Sequence, residues 1–164
     1  MWGFVGAYGV RPLACTPAFK AETGNGNGSE TMPRYFTREE AEALLPRVEP
    51  ILREIQHLRA SIADSEAVLA ELQVKAMSNG HSHAGEIQRA QAESGAALEA
   101  IRDAIASINA LGIEVKDLDM GLIDFLARRN GRPVYLCWRL DEEGIGWWHT
   151  LDSGFAGRRP ISEF

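Results

Sequence analysis

The sequence predicts an α+β fold, in which a long antiparallel, coiled-coil-like helical hairpin is followed by a small antiparallel β-meander. Apolar residues recur at alternating spacings of three and four over two stretches, which flank a turn-forming segment at 78–83. This spacing is typical of packed helices. Further along the chain, an Asn-Gly pair separates two apolar runs, which is the strongest short-range signal for a β-hairpin. The length of 164 residues suits one domain.

The first helix has a capping box at its start. The hydroxyl of Thr37 can accept the amide of Glu40, and the carboxylate of Glu40 can accept the amide of Thr37. We expect a short helix from there to about Leu45. Pro46 and Pro50 cannot donate a backbone hydrogen bond, so we expect a kink or a restart of the helix between them.

The helical hairpin is predicted from two seams of alternating spacing. The first seam contains Ile51, Ile55, Leu58, Ile62, Ser65, Leu69, Leu72 and Ala76, and the second contains Ile87, Gln91, Ser94, Leu98, Ile101, Ile105 and Ile108. The second helix is rich in alanine, which lets two backbones approach closely, and Gly112 is a stop signal at its end. Stripes of this kind usually form a core, either within the hairpin or between two copies. We therefore expect a homodimer through the helices.

The turn between the helices contains His81 and His83. No carboxylate or cysteine is adjacent to them in the sequence, so they form only a partial ligand set for a metal. We interpret this segment as a solvated turn far from the meander.

The meander begins with a short strand at 113–117, and strands at 122–128 and 133–140 flank the turn. Asn130-Gly131 predicts a type I′ turn, which fixes the register of these two strands. Arg129 then faces Arg132, and the numbers of each facing pair sum to 261. One face becomes fully apolar and is assigned to the core: Ile123, Phe125, Ala127, Val134, Leu136 and Trp138.

The last strand, predicted over 145–150, has two possible registers. With a bulge, His149 lies beside Asp124 and Cys137. Without one, Trp148 takes that place and His149 points toward the core. The remaining residues, 151–160, are expected to form a glycine-rich loop.

Polar side chains that could bind a ligand are concentrated in this part of the chain: Asp124, Cys137, Arg139, His149, Asp152 and Arg158. Cys137 and His149 with Asp124 or Asp152 could hold a metal, or a Cys-His pair could act as a nucleophile. The structural alternatives are an ion pair of Asp124 with Arg139 or Arg158, packing of Cys137, and a hydrogen-bonded His149 beside the tryptophans. The signatures of hydrolases, zinc proteases and nucleotide-binding loops are absent.

Composition narrows the classes of partner. The net charge is −6, with 8 basic and 12 acidic residues over 34–111 and 7 basic and 9 acidic over 112–164. Neither part has the basic excess that nucleic acids or anionic membranes require. The sequence contains two cysteines, and Cys15 lies in a segment expected to be disordered. A disulfide is therefore not expected, which favours the cytoplasm.

Three regions are expected. Residues 1–33 form a disordered N-terminal extension, since 24–29 have the composition of a flexible linker. Residues 34–111 form the hairpin with its short capping helix. Residues 112–164 form the meander and loop, packed with the helices as one domain. Met32 precedes the first folding signal, so residues 1–31 are interpreted as a dispensable extension or an upstream mis-start.

Several motifs carry a family resemblance: RYFT at 34–37, LLP at 44–46, VKD at 115–117, GLIDF at 121–125, YLCWR at 135–139, WH at 148–149 and D-x-GFAGR at 152–158. With these, residues 34–161 resemble the bacterial family of uncharacterised proteins called domain of unknown function 2203. Trp147 departs from the aromatic residue expected there. The resemblance implies no reaction, but it implies that the meander is the distinctive part of the family.

Two functional hypotheses follow. The first is a self-associating interaction or small-ligand-binding module with a polar site on the meander. The second is a metal-binding protein or enzyme that uses Cys137, His149 and Asp124 or Asp152.

Overall fold

The computed structural model describes residues 33–79 and 83–164, without the side chains of residues 78 and 79. Two helices precede an antiparallel sheet with strand order β1-β2-β3-β4-β5, so the predicted hairpin and meander are confirmed. The elements are α1 (Arg38–Asn79), α2 (Ala84–Asn109), β1 (Ile113–Asp117), β2 (Leu122–Arg129), β3 (Arg132–Arg139), β4 (Trp147–Thr150) and β5 (Arg159–Pro160). The expected extension, apart from Pro33, and the turn centre at 80–82 lie outside the described residues.

Helix α1 begins with the predicted capping box. The amide of Thr37 donates to Glu40 Oε2 at 2.8 Å, and the amide of Glu40 donates to Thr37 Oγ1 at 3.2 Å. The expected break at Pro46 and Pro50 is wrong, because α1 continues through both prolines. Both prolines are exposed. Water can therefore reach the carbonyls that lose a helical donor, which reduces the cost of proline inside the helix.

Helix α2 packs against α1 through a seam that agrees with the predicted one at Ile101 and Ile108 and departs from it at Leu98. Ala90, Ala97, Ile101 and Ile108 are buried, whereas the predicted seam residue Leu98 is 52% exposed. Small side chains at 90 and 97 suit a close approach of the two helices, because the distance between helix axes depends on the side chains at the contact. The alanines therefore occupy the contact and Leu98 faces outward.

The register of β2 and β3 is the predicted one. The pairs run from Leu122 opposite Arg139 to Arg129 opposite Arg132, and each pair sums to 261. Asn130 and Gly131 have φ angles of 52° and 78°. Two successive left-handed residues make a type I′ turn, whose twist matches that of the flanking strands.

Strand β4 takes the register that brings His149 to the face of Asp124 and Cys137. Tyr135 pairs with His149, and Leu136 with Trp148. The four pairs of β3 and β4 run without a bulge, so the side taken by His149 is decided in the connection at 140–146. There Asp141 adopts a left-handed φ of 73°, and the amide of Glu142 donates to the Arg139 oxygen at 3.1 Å in a turn.

The face of the sheet that lies opposite His149 packs against both helices. Ile123, Phe125, Leu136 and Trp138 are at most 1% exposed, so the predicted apolar face is confirmed. The helices and the preceding segment contribute these buried residues: Phe36, Ala41, Leu45, Val48, Leu52, Ile55, Ile101 and Ile108. Alternation along each strand leaves the other face for polar side chains.

The C-terminal segment is more regular than the expected loop. Strand β5 pairs with β4, and short 3₁₀ helices span Phe155–Gly157 and Ile161–Glu163. A two-residue strand that contains Pro160 has no periodic pattern from which it could be predicted, and proline is tolerated there because β5 is an edge strand. Among the described residues, the helices lack an apolar stretch long enough to cross a bilayer.

Candidate functional site

Three polar residues are buried on the face of the sheet opposite the helical core. Asp124 lies in β2, Cys137 lies opposite it in β3, and His149 lies in β4. Asp124 and His149 are each 2% exposed, and Cys137 is 0% exposed. Buried polar groups need partners, because an unsatisfied one costs about 1–3 kcal/mol.

Cys137 allows Asp124 and His149 to meet. Strands β2 and β4 are separated by β3, so their backbones lie about 10 Å apart. The carboxylate of Asp124 and the ring of His149 must therefore bridge the middle strand, and His149 Nε2 reaches Asp124 Oδ2 at 3.1 Å. Cys137 on the middle strand is small, which leaves room for this contact above it.

Both ring nitrogens of His149 face acceptors. Nδ1 lies 2.8 Å from the backbone oxygen of Thr150, and Nε2 lies 3.1 Å from Asp124 Oδ2. A carbonyl oxygen cannot donate, so Nδ1 must carry a proton. A second proton is then shared between Nε2 and Asp124. This arrangement fixes the orientation of the ring and directs Nε2 toward Asp124.

The charge state of His149 follows from these contacts. Burial alone would lower its pKa, but the hydrogen bonds to Asp124 and to the Thr150 carbonyl, with the negative charge of Asp124, outweigh burial and raise the pKa above its ordinary value. Folding therefore favours the protonated imidazole relative to an ordinary histidine.

Cys137 has the opposite character. Burial and the nearby negative charge of Asp124 raise the pKa of its thiol far above the ordinary value. The thiol is therefore protonated at neutral pH and is a poor nucleophile as it stands. This speaks against an activated Cys-His pair, because His149 bonds to Asp124 and to Thr150 rather than acting on the thiol.

The donor atoms of Asp124, Cys137 and His149 converge. One carboxylate oxygen, Sγ and one ring nitrogen all lie within 4.8 Å of one another. In addition, Asp124 Oδ1 is buried and has no hydrogen-bond partner within the described part of the chain. A buried carboxylate oxygen without a donor is rare in native proteins. Such an atom calls for a proton, a water molecule or a cation.

The other three predicted site residues are placed differently. Arg139 and Asp152 are exposed and lie outside this buried group. Arg158 binds Glu142 instead of Asp124, with Nη2 2.8 Å from both carboxylate oxygens, and the two side chains are only 10% and 17% exposed. The alternative ion pair of Asp124 with an arginine is therefore wrong. Arg158 is still close to the site, since its charge opposes the rise in the pKa of Cys137.

Sequence reasoning missed three neighbours of the site. Glu114 lies opposite Asp124 in β1. It accepts the Tyr135 hydroxyl at 2.7 Å and the Lys116 ammonium at 2.6 Å. Tyr135 is the cross-strand partner of His149, and the two ring centroids are 5.5 Å apart. Polar alternation over 114–117 was the available signal, but the register of β1 depends on a loop without a recognisable turn motif.

One comparison with known proteins identifies the family, and it adds no activity. No curated protein and no solved structure matches the chain. The family model described as "Uncharacterized conserved protein (DUF2203)" matches residues 34–161, which is most of the chain and includes the whole described fold from the capping box to β5. The chain therefore belongs to the DUF2203 family.

Proposed function

We propose that this protein binds a divalent transition-metal ion, with Zn²⁺ the best fit, through Asp124, Cys137 and His149. The observation that carries the proposal is the convergence of three buried donor atoms from three strands within 4.8 Å. Carboxylate oxygen, thiolate sulfur and imidazole nitrogen are the three donor types that zinc uses in proteins. Softer thiolate and imidazole donors disfavour Mg²⁺ and Ca²⁺.

The environment of His149 supports this proposal. Histidine ligands usually donate their other ring nitrogen to a carbonyl or a carboxylate, which fixes the tautomer. Here Nδ1 is committed to the Thr150 oxygen, so Nε2 is the nitrogen left for the metal. The metal would replace the proton that Nε2 and Asp124 share, and it would give Asp124 Oδ1 a partner.

Three protein ligands would leave a fourth position for water or a small ligand, since zinc sites are mostly tetrahedral. The partly buried pair of Arg158 and Glu142 lies near Cys137. A ligand at the fourth position would therefore lie near one positive and one negative side chain. The proposal thus combines the two hypotheses from the sequence, because the polar site of the meander becomes a metal site with an open position.

Cobalt substitution tests this proposal. Metal-stripped protein is titrated with Co²⁺, and bound thiolate is read from its near-ultraviolet charge-transfer absorption, while Zn²⁺ binding is read by competition with a coloured chelator. We expect one equivalent to bind. Cys137→Ser should lose the charge-transfer band, and His149→Gln should weaken binding by more than about a hundredfold, because the loss of even an outer-shell partner costs about 10–100-fold.

The matched control is His57→Gln, which removes an exposed histidine of α1. It should bind like the unmodified protein. If the metal-stripped protein takes up neither ion, or if Cys137→Ser keeps the band, the metal proposal is wrong. The group would then be a buried hydrogen-bonded pair packed over a cysteine.

We further propose that the helices mediate a homodimer. Val68, Met77 and Leu98 are 50%, 89% and 52% exposed on the outer part of the hairpin. Association would remove such side chains from water, and contiguous exposed apolar surface is typical of association sites. Light scattering at micromolar concentration should give twice the 18.0 kDa chain mass. Leu98→Glu should give the monomer mass. Ala100→Glu, on the opposite side of α2, should keep the dimer mass. A monomer mass for the unsubstituted protein would contradict the dimer.

A further inference from the structure

A second candidate site lies on the sheet face opposite His149, where the β2–β3 turn meets the ends of β4 and β5. It is a cleft of about 730 Å³, and its lining includes Arg129, Arg132, Arg159, Trp148 and Asp152. This volume falls within the range of small-molecule sites. The cleft contains none of the three proposed metal ligands, although Thr150, whose backbone oxygen contacts His149 Nδ1, also lines it.

Two of the arginines are held opposite each other by the strand register. Arg129 and Arg132 form the last cross-strand pair before the turn. Like charges directly opposite on antiparallel strands are destabilising. Arg129 donates through Nε and Nη2 to the backbone oxygen of Glu163 at 3.1 and 2.5 Å, but a carbonyl carries no net charge to offset the repulsion. An anion between the two guanidinium groups would offset it.

Trp148 forms an apolar platform beneath the positive charges. The guanidinium carbons of Arg129 and Arg159 lie 4.5 and 5.4 Å from the centroid of its ring. The side chain is 3% exposed, and its indole Nε1 is buried without a hydrogen-bond partner in the described ranges. A buried N–H donor without an acceptor is costly. Trp148 therefore lines the cleft with an apolar ring, on which two of the three lining arginines stack.

The positive charge is local to this cleft. Residues 112–164 carry 9 acidic and 7 basic residues, yet three arginines and one aspartate line this site. Concentrated charge of one sign inside a concave surface raises the local concentration of the opposite ion. A general attraction to polyanions is not expected, because the chain as a whole carries a net charge of −6.

We propose that this cleft binds the phosphate group of a small molecule. Arginine presents planar, paired donors that match phosphate oxygens. A doubly charged anion neutralises two guanidinium groups better than a single carboxylate does. The volume exceeds that of a bare ion, so part of the cleft is left for the organic portion of the ligand.

The test follows the indole N–H resonances of the full chain by ¹⁵N NMR during titration with inorganic phosphate. Sodium chloride holds the ionic strength constant, because salt alone screens surface charge. The Trp148 resonance is assigned by its loss in Trp148→Phe. We expect a saturable shift of the Trp148 resonance, with affinity about tenfold weaker in Arg132→Gln and in Arg159→Gln, since each removes charge-assisted hydrogen bonds.

Arg102→Gln, which removes an exposed arginine of α2, is the matched control and should bind phosphate normally. Glycerol 3-phosphate distinguishes the sources of phosphate. Tighter binding than that of inorganic phosphate indicates an organic phosphate ligand, and equal binding indicates free phosphate. No saturable shift at tens of millimolar phosphate, unchanged affinity in both Arg132→Gln and Arg159→Gln, or equal binding of acetate would overturn the proposal.

Discussion

Asp124, Cys137 and His149 can be buried together because the contacts of each side chain offset its removal from water. His149 is stabilised by two acceptors, the Thr150 oxygen and the Asp124 carboxylate. Cys137 contributes its small size, which lets the other two side chains meet across β3. A larger residue at 137 would separate them, and a serine would keep the space but change the donor. The same three residues thus serve packing and ligand binding together.

The stability of the metal-free protein should depend on pH through His149. Its pKa is raised in the folded protein because the hydrogen bonds to Asp124 and Thr150 outweigh burial, which by itself would lower it. Below the unfolded-state pKa, near 6.5, the stabilisation is fully present, and it is lost as the pH rises through the higher folded-state pKa. The difference in unfolding free energy between the unmodified protein and His149→Gln should therefore shrink as the pH rises above 6.5. Urea denaturation in the presence of a chelator measures it.

The control for this measurement is His57→Gln, on the exposed side of α1. Its effect on the unfolding free energy should be small and should not follow the same pH dependence. A difference for His149→Gln that stays constant or grows with pH would show that His149 is neutral in the folded state.

Among the elements, α1 departs most from expectation. Its residues 46 and 50 are prolines, yet the helix runs through both and has a total length of 42 residues. The two prolines are four residues apart, so the interrupted hydrogen bonds lie on one side of the helix, and that side is exposed. The opposite side contains Leu45, Val48 and Leu52, which are buried in the core. Packing of this side keeps the helix continuous.

Restoring the amide should stabilise this helix. Pro46→Ala and Pro50→Ala each supply a donor for a carbonyl one turn earlier. We expect each to raise the unfolding free energy by about 1–2 kcal/mol. The restored helical hydrogen bond stabilises the folded state, and part of this gain is lost because alanine restricts the unfolded chain less than proline does. Thermal or urea denaturation measures the change, with the exposed Arg47→Ala as a control near zero. A decrease in the unfolding free energy of both variants would contradict this expectation and would show that the prolines stabilise the folded protein.

At the scale of the whole molecule, the core is concentrated at one end of the hairpin. The main cluster includes Leu45, Leu52 and Ile55 of α1 and Ile101 and Ile108 of α2, all packed with the sheet. Toward the turn, the buried apolar residues in the described part of the hairpin are Leu72, Ala90 and Ala97. Few buried contacts mean that local opening costs less there.

Amide hydrogen exchange should follow this gradient. We expect amides at 62–79 and 84–98 to exchange faster than those at 41–55 and 101–108, as measured by mass spectrometry. If the outer hairpin forms the proposed dimer, its protection should increase with protein concentration, while the exchange of the inner part stays constant. Uniform protection along both helices at every concentration would contradict a core confined to one end.

The features that the sequence alone determined are those that depend on interactions between residues close together in the chain. The capping box of Thr37 and Glu40 and the type I′ turn at Asn130-Gly131 involve residues at most three apart, and each was predicted with its partners. The turn also determined the pairing of Asp124 with Cys137, since a register set at one end of a hairpin holds along both strands. The fold class and the apolar face of the sheet follow from periodicity.

Contacts between distant residues were decided only by the tertiary structure. His149 and Asp124 are 25 residues apart, and whether they meet depends on the backbone of the 140–146 connection, where a change of one residue reverses the side of His149. Arg158 and Glu142 meet through the same connection, and Glu114 reaches the site through the loop before β2. Alternation along a strand determines which side chains share a face of the sheet. The geometry of the connections between strands determines which strand ends are neighbours, and therefore which charged side chains lie together.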